Sequence, residues 1–293
     1  MEKGESLKFL FIINSGSGNG STDWVMIILD YFKFSNHIIK LYEMPKESNL
    51  ELIKNEIKIF SPKIVVAVGG DGTVNSVATC LLETNIIMGI LPAGSANGLA
   101  KELGLMCEHK KALDVIVKRF TKKIHVLKIN NHMCIHLSDV GLNAFAMKEF
   151  KNNHHRGMLG YIRVLLKVIL KNPKIVVRMH FNENVIKIKA SQIVIANATK
   201  YGSGAVINPI GNLADKLFEV VAVKKLSFIE IFKMIFSHAS FNPKKTEIFQ
   251  MSSLSIHSAQ KIHFQIDGEY LGMVNDINAT LIPSAINMIV PEN

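Results

Sequence analysis

The feature that most constrains the fold is a buried-strand pattern that runs directly into a glycine-rich turn and then into a helical pattern, at residues 63–82. Residues 64–68 are apolar and mostly β-branched, which is typical of a strand buried on both faces. The turn at 69–73 reads Gly-Gly-Asp-Gly-Thr, and its glycines allow positive φ and close approach of a ligand to the backbone. The following helix would direct its free N–H groups and positive dipole end at an anion on that turn. The segment therefore predicts a phosphate-binding site.

Asp71 is unusual within such a turn, because a carboxylate repels phosphate. Its presence favours either a metal ion that bridges the carboxylate to the phosphates or a role in proton transfer from an attacking hydroxyl. An ordinary Asp-Gly turn between a strand and a helix is the structural alternative. The residues of this turn leave both interpretations open.

The first part of the chain alternates between strand and helix patterns. Strands are predicted at 9–13, 37–42, 64–68 and 86–91, with helices at 23–32, 50–60, after the central turn to about 82, and 97–103. This alternation predicts a mostly parallel sheet with helices on both faces and ligands at the carboxyl ends of the strands. Glycine-rich turns at 14–20, 69–73 and 92–98 follow three of these strands. If the strands are neighbours, the three turns converge on one site.

From about residue 122, the alternation of strand and helix patterns gives way to shorter strand-like runs. They lie at 124–129, 174–181, 185–188, 192–196, 218–223 and 261–266. The pattern predicts an antiparallel sandwich, interrupted by helical stretches at 159–170 and 228–237. The final run, 279–290, is again strand-like. We therefore expect an α/β domain at 1–125, to which 282–293 return, and an all-β sandwich domain at 126–281.

Composition narrows the class of protein without choosing a ligand. The chain has 293 residues, of which 48% are hydrophobic and 20% are charged, as in a globular protein of about two domains. The 34 Lys and Arg against 24 Asp and Glu would attract nucleotides, nucleic acid or acidic lipid surfaces. The three isolated cysteines favour a reducing cytosol. No apolar run reaches about 18 residues, so we expect any membrane contact to be peripheral.

Four segments in chain order carry a family resemblance: 13–18, 69–75, 91–97 (Leu-Pro-Ala-Gly-Ser-Ala-Asn) and 267–269 (Asp-Gly-Glu). Together they resemble the diacylglycerol kinase catalytic-domain family, which also holds sphingosine kinases, ceramide kinases and bacterial lipid kinases. The Gly-Gly-Asp-Gly-Thr segment alone is shared with NAD kinases, whereas the segment at 91–97 is more specific to the lipid kinases. The resemblance spans nearly the whole chain.

The resemblance implies an ATP- and Mg²⁺-dependent lipid kinase that transfers the γ-phosphoryl group to a lipid hydroxyl. The first domain would bind the nucleotide and the second the lipid substrate. Diacylglycerol is the first expectation for the acceptor, with a sphingoid base, ceramide or another glycerolipid left open. The alternatives are a NAD kinase-like enzyme and a catalytically impaired pseudo-kinase that binds nucleotide or lipid.

The resemblance also assigns roles to individual residues. Glu269 would accept the proton of the lipid hydroxyl, supported by Asp267 and by Asp71, and Asp71 would hold Mg²⁺ through water or orient the hydroxyl. The residues implied in nucleotide and phosphate binding are Asn14, Ser17, Gly18, Gly69, Gly70, Gly72, Thr73, Asn75, Ser95 and Asn97.

A second, structural Mg²⁺ site is implied by the segment 208–218, which resembles the family pattern P-x-A-x-L-x-D-G. Its ligands would be Asn212, Asp215 and Leu217, the first and last through their backbone carbonyls. Lys216 departs from the family, which commonly has Gly there, and Ser76 stands where Glu is common. These departures are the reason for keeping the pseudo-kinase alternative.

The expected partners are ATP and a lipid substrate at a membrane surface, for a cytoplasmic protein with peripheral membrane association. The segment 157–171 has Arg163, Lys167 and Lys171 at helical spacing, a stripe compatible with docking on an anionic bilayer. A helix packed on the sandwich with a solvated basic face is the alternative. We expect no nucleic acid partner, since no recognition motif accompanies the charge, and we leave a homodimer open.

Overall fold

The computed structural model describes residues 5–18, 22–45, 49–152, 157–171, 173–201, 206–227 and 242–292. The chain divides into two compact units, Met1–Ile124 with Ser284–Asn293, and His125–Pro283. The helix predicted at 228–237 and the last two residues of the first glycine-rich turn lie outside the described residues.

The first unit is an α/β domain, as predicted. Its sheet is parallel in the order β2-β1-β3-β4, and the end of the last strand of the chain, β14 (Glu269–Ile289), pairs in parallel with β4 through Asn287 and Met288. The elements in chain order are β1 (Lys8–Ile13), α1 (Trp24–Phe32), β2 (Ile38–Glu43), α2 (Leu50–Phe60), β3 (Ile64–Gly69), α3 (Asp71–Leu81), β4 (Ile87–Pro92), α4 (Gly98–Glu102) and α5 (His109–Lys118).

The strands of the first unit are buried on both faces, which explains their continuous apolar sequences. Phe9, Phe11 and Val66 share a core with Trp24 of α1 and Leu113 of α5. The alternate residues of the same strands are equally buried and face the side of the sheet that α2 and α3 cover. Helix α5 was not predicted, because three polar residues begin it and leave only a short apolar stripe.

The order of the strands decides where the glycine-rich turns lie. Strand β3 is hydrogen-bonded to β1 on one side and to β4 on the other. Because the three strands are parallel and adjacent, their carboxyl ends meet at one edge of the sheet. The prediction that the three turns converge is confirmed.

The second unit is built from antiparallel strands, as predicted, in the order β12-β11-β10-β7-β13-β14. Strand β8 pairs with β13 and β9, and β5 pairs with β6 and β14. Its elements are β5 (Thr121–Ile129), β6 (His132–Cys134), β7 (Leu137–Gly141), α6 (Leu142–Asn152), α7 (Gly157–Lys171), β8 (Ile175–Phe181), β9 (Asn184–Ala190), β10 (Gln192–Ala196), β11 (Phe218–Val223), a 3₁₀ turn (Pro243–Lys245), β12 (Thr246–Met251), β13 (Ser253–Ile266) and β14.

Both faces of the central strands in the second unit are covered. Ile193 and Ile195 of β10 lie in the core between the sheets, whereas Val194 and Ala196 lie in a second core beneath α6 and α7. The helix predicted at 159–170 is confirmed as α7. Strand β7 and helix α6 were not predicted, because β7 carries two polar residues and passes into α6 without a turn. Within the described ranges, no helix is long and apolar enough to cross a membrane.

Candidate active site

The first glycine-rich turn is tied to the second through Asn14. Its side-chain Nδ2 donates to Thr73 Oγ1 at 3.1 Å, and its backbone amide donates to the carbonyl of Val68 at 2.9 Å. Its Oδ1 accepts the amide of Gly16 at 3.1 Å, and its carbonyl accepts the amide of Ser17 at 3.0 Å. Asn14 thus organises its own turn and joins it to the start of α3.

The second and third turns are in backbone contact. The amide of Ala93 donates to the carbonyl of Gly69 at 2.9 Å. A Cβ atom on Gly94 would lie 2.4 Å from Cα of Gly70, so only glycine fits this crossing. Gly18 of the first turn has φ +65°, and a Cβ there would lie 2.4 Å from the carbonyl oxygen of Ala93. Gly18 and Gly70, two of the predicted site glycines, therefore serve close approach between turns, together with Gly94, which was not among the predicted site residues.

Asn97 holds the third turn closed. Its Oδ1 accepts the amide of Gly94 at 2.9 Å, and its Nδ2 donates to the carbonyl of the same residue at 2.7 Å. Asn97 is buried and adopts a left-handed conformation with φ +51°, which Asn tolerates better than most residues. Ser95, between these two residues, is exposed at the tip of the turn. The turn thus presents a hydroxyl on a fixed backbone.

The start of α3 is suited to an anion. Gly70 is its N-cap residue and provides no side-chain cap, so the first-turn amides, which lack partners inside a helix, are open to a ligand. A Cβ on Gly69 would lie 2.4 Å from Thr73 Oγ1, and the missing side chain lets Thr73 fold over the turn. Asn75 lies further along α3, where its Oδ1 is 3.2 Å from the hydroxyl of Thr79.

Asp71 has a structural contact that the sequence did not indicate. Its Oδ1 accepts the amide of Leu99 at 3.4 Å, so the carboxylate faces the start of α4. Burial raises the pKa of Asp71, and this effect is opposed by the backbone amides at 97–99 and by the charge of Lys101. The carboxylate therefore links the second turn to the third. Sequence reasoning missed Lys101, whose charge acts on the Asp71 carboxylate.

The second unit carries Glu269 next to a tight hairpin turn. Ile266 and Glu269 are paired residues at the ends of β13 and β14. The two residues between them, Asp267 and Gly268, have φ values of +47° and +86°. Two central residues with positive φ define the turn that matches the twist of a hairpin. Glu269 is exposed at the first position after it.

The carboxylate of Asp267 anchors this hairpin turn. Oδ1 accepts the amides of His136 and Leu137, each at 3.0 Å, and Oδ2 accepts the amide of Ile135 at 2.9 Å. Burial raises the pKa of Asp267 to about 6, against the opposing effect of these three amides. The carboxylate of Asp267, which we predicted to support Glu269, is thus bonded to backbone donors that fix the turn.

The loop predicted to hold a structural metal ion forms local hydrogen bonds. Asp215 Oδ1 accepts the amide of Leu217 at 3.1 Å, and the carbonyl of Asn212 accepts the amide of Asp215 at 3.4 Å. The part of the chain that the structure describes has no group of three or more His, Cys, Asp or Glu able to hold a metal. One carboxylate with backbone carbonyls suits a Mg²⁺ ion that keeps several of its waters.

Sequence reasoning also missed a buried carboxylate, Asp139 of β7, which is fully inaccessible to solvent. The signal was the pair Ser138 and Asp139 inside an otherwise apolar strand. Buried polar side chains are retained where hydrogen bonds satisfy them, so such a pair indicates an internal network.

The family comparisons cover both units. Residues 8–129 match the diacylglycerol kinase catalytic domain, and residues 138–290 match the YegS C-terminal NAD kinase beta sandwich-like domain. A probable lipid kinase YegS-like of Chromohalobacter salexigens is 26% identical over 78% of this chain and 76% of its own length. A diacylglycerol kinase of Bacillus subtilis is 23% identical, with 72% of each chain covered. The chain spans about half, 54%, of an uncharacterized Synechocystis relative that is 26% identical.

Solved structures share the fold. A putative diacylglycerol kinase from Bacillus anthracis superposes with a TM-score of 0.76 at 21% identity, with 97% of each chain covered. A second structure of that description from the same organism has a TM-score of 0.75 at 20% identity. At this level of sequence identity, the similarity to these structures shows a shared fold and nothing further.

Proposed function

We propose that this chain, which belongs to the diacylglycerol kinase catalytic-domain family, transfers the γ-phosphoryl group of ATP to the hydroxyl of a lipid. The observation that carries the proposal is the junction of three glycine-rich turns around the open N-terminus of α3. Phosphoryl transfer depends mainly on positioning and on neutralising charge, and a rigid set of backbone donors supplies both. Diacylglycerol is our first candidate for the acceptor.

The nucleotide phosphates are assigned to the first unit. The amides at 70–73 would bind phosphate oxygens, and the hydroxyls of Ser17 and Ser95 would add donors. Asn14 and Asn97 would act by holding the turns, since their side chains are bonded to Thr73 and to Gly94.

Asp71 is the residue that we assign to Mg²⁺. Its carboxylate is a hard oxygen donor, and Oδ1 is oriented by the amide of Leu99, which suits a metal ligand that must keep one direction. Mg²⁺, when bound, would neutralise charge on the phosphates. The charge of Lys101 also acts on this carboxylate. Its ammonium group would help to neutralise the same phosphates.

Glu269 is the residue that we assign as acceptor of the proton from the lipid hydroxyl. It is exposed, so its carboxylate can be reached by a substrate. It follows a turn that Asp267 fixes through three backbone amides. A general base needs to lie within hydrogen-bond reach of the proton that it accepts, and a fixed turn lowers the entropy cost of that arrangement.

The second unit, to which we assign the lipid, offers a basic surface. Helix α7 buries Val164 and Val168 against the sheet, and its opposite side exposes Arg163, Lys167 and Lys171. Each cation near an anionic bilayer contributes about 1 kcal/mol of binding free energy. We therefore propose peripheral contact with an anionic lipid surface through this basic face.

The direct test is incubation of the purified protein with labelled ATP, Mg²⁺ and a mixed lipid extract. We expect a labelled phospholipid that co-migrates with the product of diacylglycerol phosphorylation. We expect no labelled product when Mg²⁺ is chelated. With a single lipid acceptor in vesicles, we expect a higher initial rate on anionic than on neutral vesicles, and loss of this difference at high salt because screening weakens surface charges.

The alternative functions give different results in the same assay. Label transferred to NAD⁺ in solution, with none on lipid, would show a NAD kinase-like enzyme. Binding of a labelled ATP analogue without transfer to any acceptor would show a pseudo-kinase. Equal rates on anionic and neutral vesicles would show that the basic face of α7 does not bind an anionic lipid surface. Such a result would not contradict the proposed kinase activity.

We also propose that Asn212, Asp215 and Leu217 hold a second Mg²⁺ ion. If they do, Mg²⁺ at about ten times its dissociation constant stabilises the fold by about 1.4 kcal/mol, a rise in Tm of about 3–6 °C. We expect Asp215→Ala to lose most of this rise in a thermal scan without nucleotide, while Glu183→Ala, which removes an exposed carboxylate of the same unit, keeps it. Equal rises in both variants would contradict the site.

A further inference from the structure

Asp139 occupies a position from which it can act on the turn beside Glu269. It lies in β7, directly opposite Gln265 of β13 in an antiparallel pair. Both side chains are buried on the face of the sheet that α6 and α7 cover. Gln265 is two residues before Asp267, and its side chain accepts a hydrogen bond from the hairpin turn.

The hydrogen bonds of Asp139 come from neutral groups. Its Oδ2 accepts from Gln265 Nε2 at 2.7 Å and from the Tyr201 hydroxyl at 3.5 Å, and it also accepts from Asn143 Nδ2. The hydroxyl of Tyr161 donates to Asn143 Oδ1. Among its described hydrogen-bond partners there is no Lys or Arg, so the ionised carboxylate depends on oriented dipoles.

This network determines which way the Gln265 amide points. Because Nε2 donates to Asp139, Oε1 is directed at the turn, where it accepts the amide of Gly268 at 2.8 Å. Gly268 immediately precedes Glu269 in the chain. The carboxylate of Asp139 is therefore connected to the backbone beside Glu269 by two hydrogen bonds through a single side chain.

We propose that ionised Asp139 is a positioning residue that fixes the Gln265 amide, and through it the turn that presents Glu269. The inference rests on the proposed role of Glu269 as proton acceptor. Loss of the ionised carboxylate frees the Gln265 amide to rotate. In the reversed orientation Nε2 faces the amide of Gly268, so two donors oppose each other and the turn loosens.

Protonation of Asp139 has the same consequence as its substitution. Burial raises the pKa of Asp139 to about 6, against its hydrogen-bond donors. Burial and the nearby charge of Asp139 raise the pKa of three groups, Tyr161 from α7, Tyr201 after β10 and Cys134 of β6. They stay neutral between pH 5 and 8. Burial also raises the pKa of Asp267, which lies in the turn itself, to about 6. A pH profile therefore combines the protonation of Asp139 and Asp267, and substitutions are needed to tell their effects apart.

The sign of the stability effect distinguishes a positioning role from a structural one. The folded state keeps the proton of Asp139 up to about pH 6, whereas the unfolded chain releases it near pH 4. Stability therefore falls as the pH rises through this window, because the buried charge is unfavourable. Asp139→Asn removes that charge, so at pH 7.5 the variant should have an equal or higher Tm and yet lower activity.

The test measures activity, Tm and hydrogen exchange for Asp139→Asn. We expect kcat for lipid phosphorylation to fall about 10–100-fold with KM for ATP unchanged, and exchange of the Gly268 amide to accelerate at least tenfold. The control is Glu219→Gln, another buried carboxylate, which accepts from Asn208 and Gln250. We expect no change at Gly268 and no fall in kcat for that variant.

Hydrogen exchange separates this inference from the proposed function. If Glu269→Gln is fully active, Glu269 is not the base, but exchange at Gly268 still decides whether Asp139 holds the turn. If Glu269 is the base, adding Asp139→Asn to Glu269→Gln should cause no further fall in kcat. Unchanged exchange at Gly268 in Asp139→Asn overturns the inference, as does a further full fall in the double variant.

Discussion

Glu269→Gln is expected to lower kcat for lipid phosphorylation by about 10²–10⁴-fold, the usual contribution of a positioned general base. The amide has the shape of the carboxylate but cannot accept the proton at neutral pH. Since Glu269 is exposed, the substitution should leave Tm and the affinity for nucleotide unchanged. Initial rates at saturating ATP and lipid, with a thermal scan and nucleotide titration, measure all three quantities.

Glu183→Gln is the matched control for this substitution. Glu183 is also an exposed glutamate at a hairpin, in the turn between β8 and β9, and it belongs to the same unit. We expect wild-type kcat in this variant. Comparable activity in the Glu269 and Glu183 variants would show that another group accepts the proton, whereas a large rise in KM without a change in kcat would place Glu269 in substrate binding.

The three predicted carboxylates differ in what the fold leaves them free to do. Asp71 accepts a backbone amide of α4, and Asp267 accepts the three backbone amides of residues 135–137, which lead into β7. Both therefore hold loops in place, in addition to any role toward a ligand. Glu269 is the exposed member of the three. This division of roles is the structural reason for assigning proton transfer to Glu269 and fixed geometry to the other two.

The first unit was predictable because its local patterns and its topology agree. Buried strands such as β3 read as continuous apolar runs, and each glycine-rich turn marks the carboxyl end of a strand. The parallel arrangement then brings those turns together. The contact between Asp71 and Leu99 was not predictable, because it joins residues 28 positions apart and leaves no periodic pattern in the sequence.

The second unit was harder to predict for a physical reason that Asp139 illustrates. A charged residue in a short strand indicates a solvated face, yet Asp139 is buried, and its Oδ2 accepts hydrogen bonds from Gln265 of the paired strand and from Asn143 of α6. Helix α6 follows the same strand directly, so no turn residue marks its start. Such a network becomes visible only when partners from β13, α6 and the segment after β10 are brought together.

Gly94→Ala is expected to disrupt the junction of the three turns. The new Cβ would lie 2.4 Å from Cα of Gly70 and 2.9 Å from Asn97 Oδ1. The first contact is with backbone, so a change of rotamer cannot relieve it and the turns must separate. Overpacking of this kind costs about 1–3 kcal/mol of stability. We expect affinity for an ATP analogue to fall at least tenfold, measured by calorimetry alongside the free energy of unfolding in urea.

Gly16→Ala provides the control, because it adds the same methyl group within the first turn. The nearest atom to that Cβ is Asn14 Oδ1 at 3.4 Å, an ordinary contact, and a substitution at an exposed site without strain changes stability by less than about 0.5 kcal/mol. Nucleotide affinity should then fall in the Gly94 variant alone. Wild-type affinity in Gly94→Ala would mean that the contact of the second and third turns does not shape the phosphate site, and the nucleotide would have to be assigned elsewhere in the first unit.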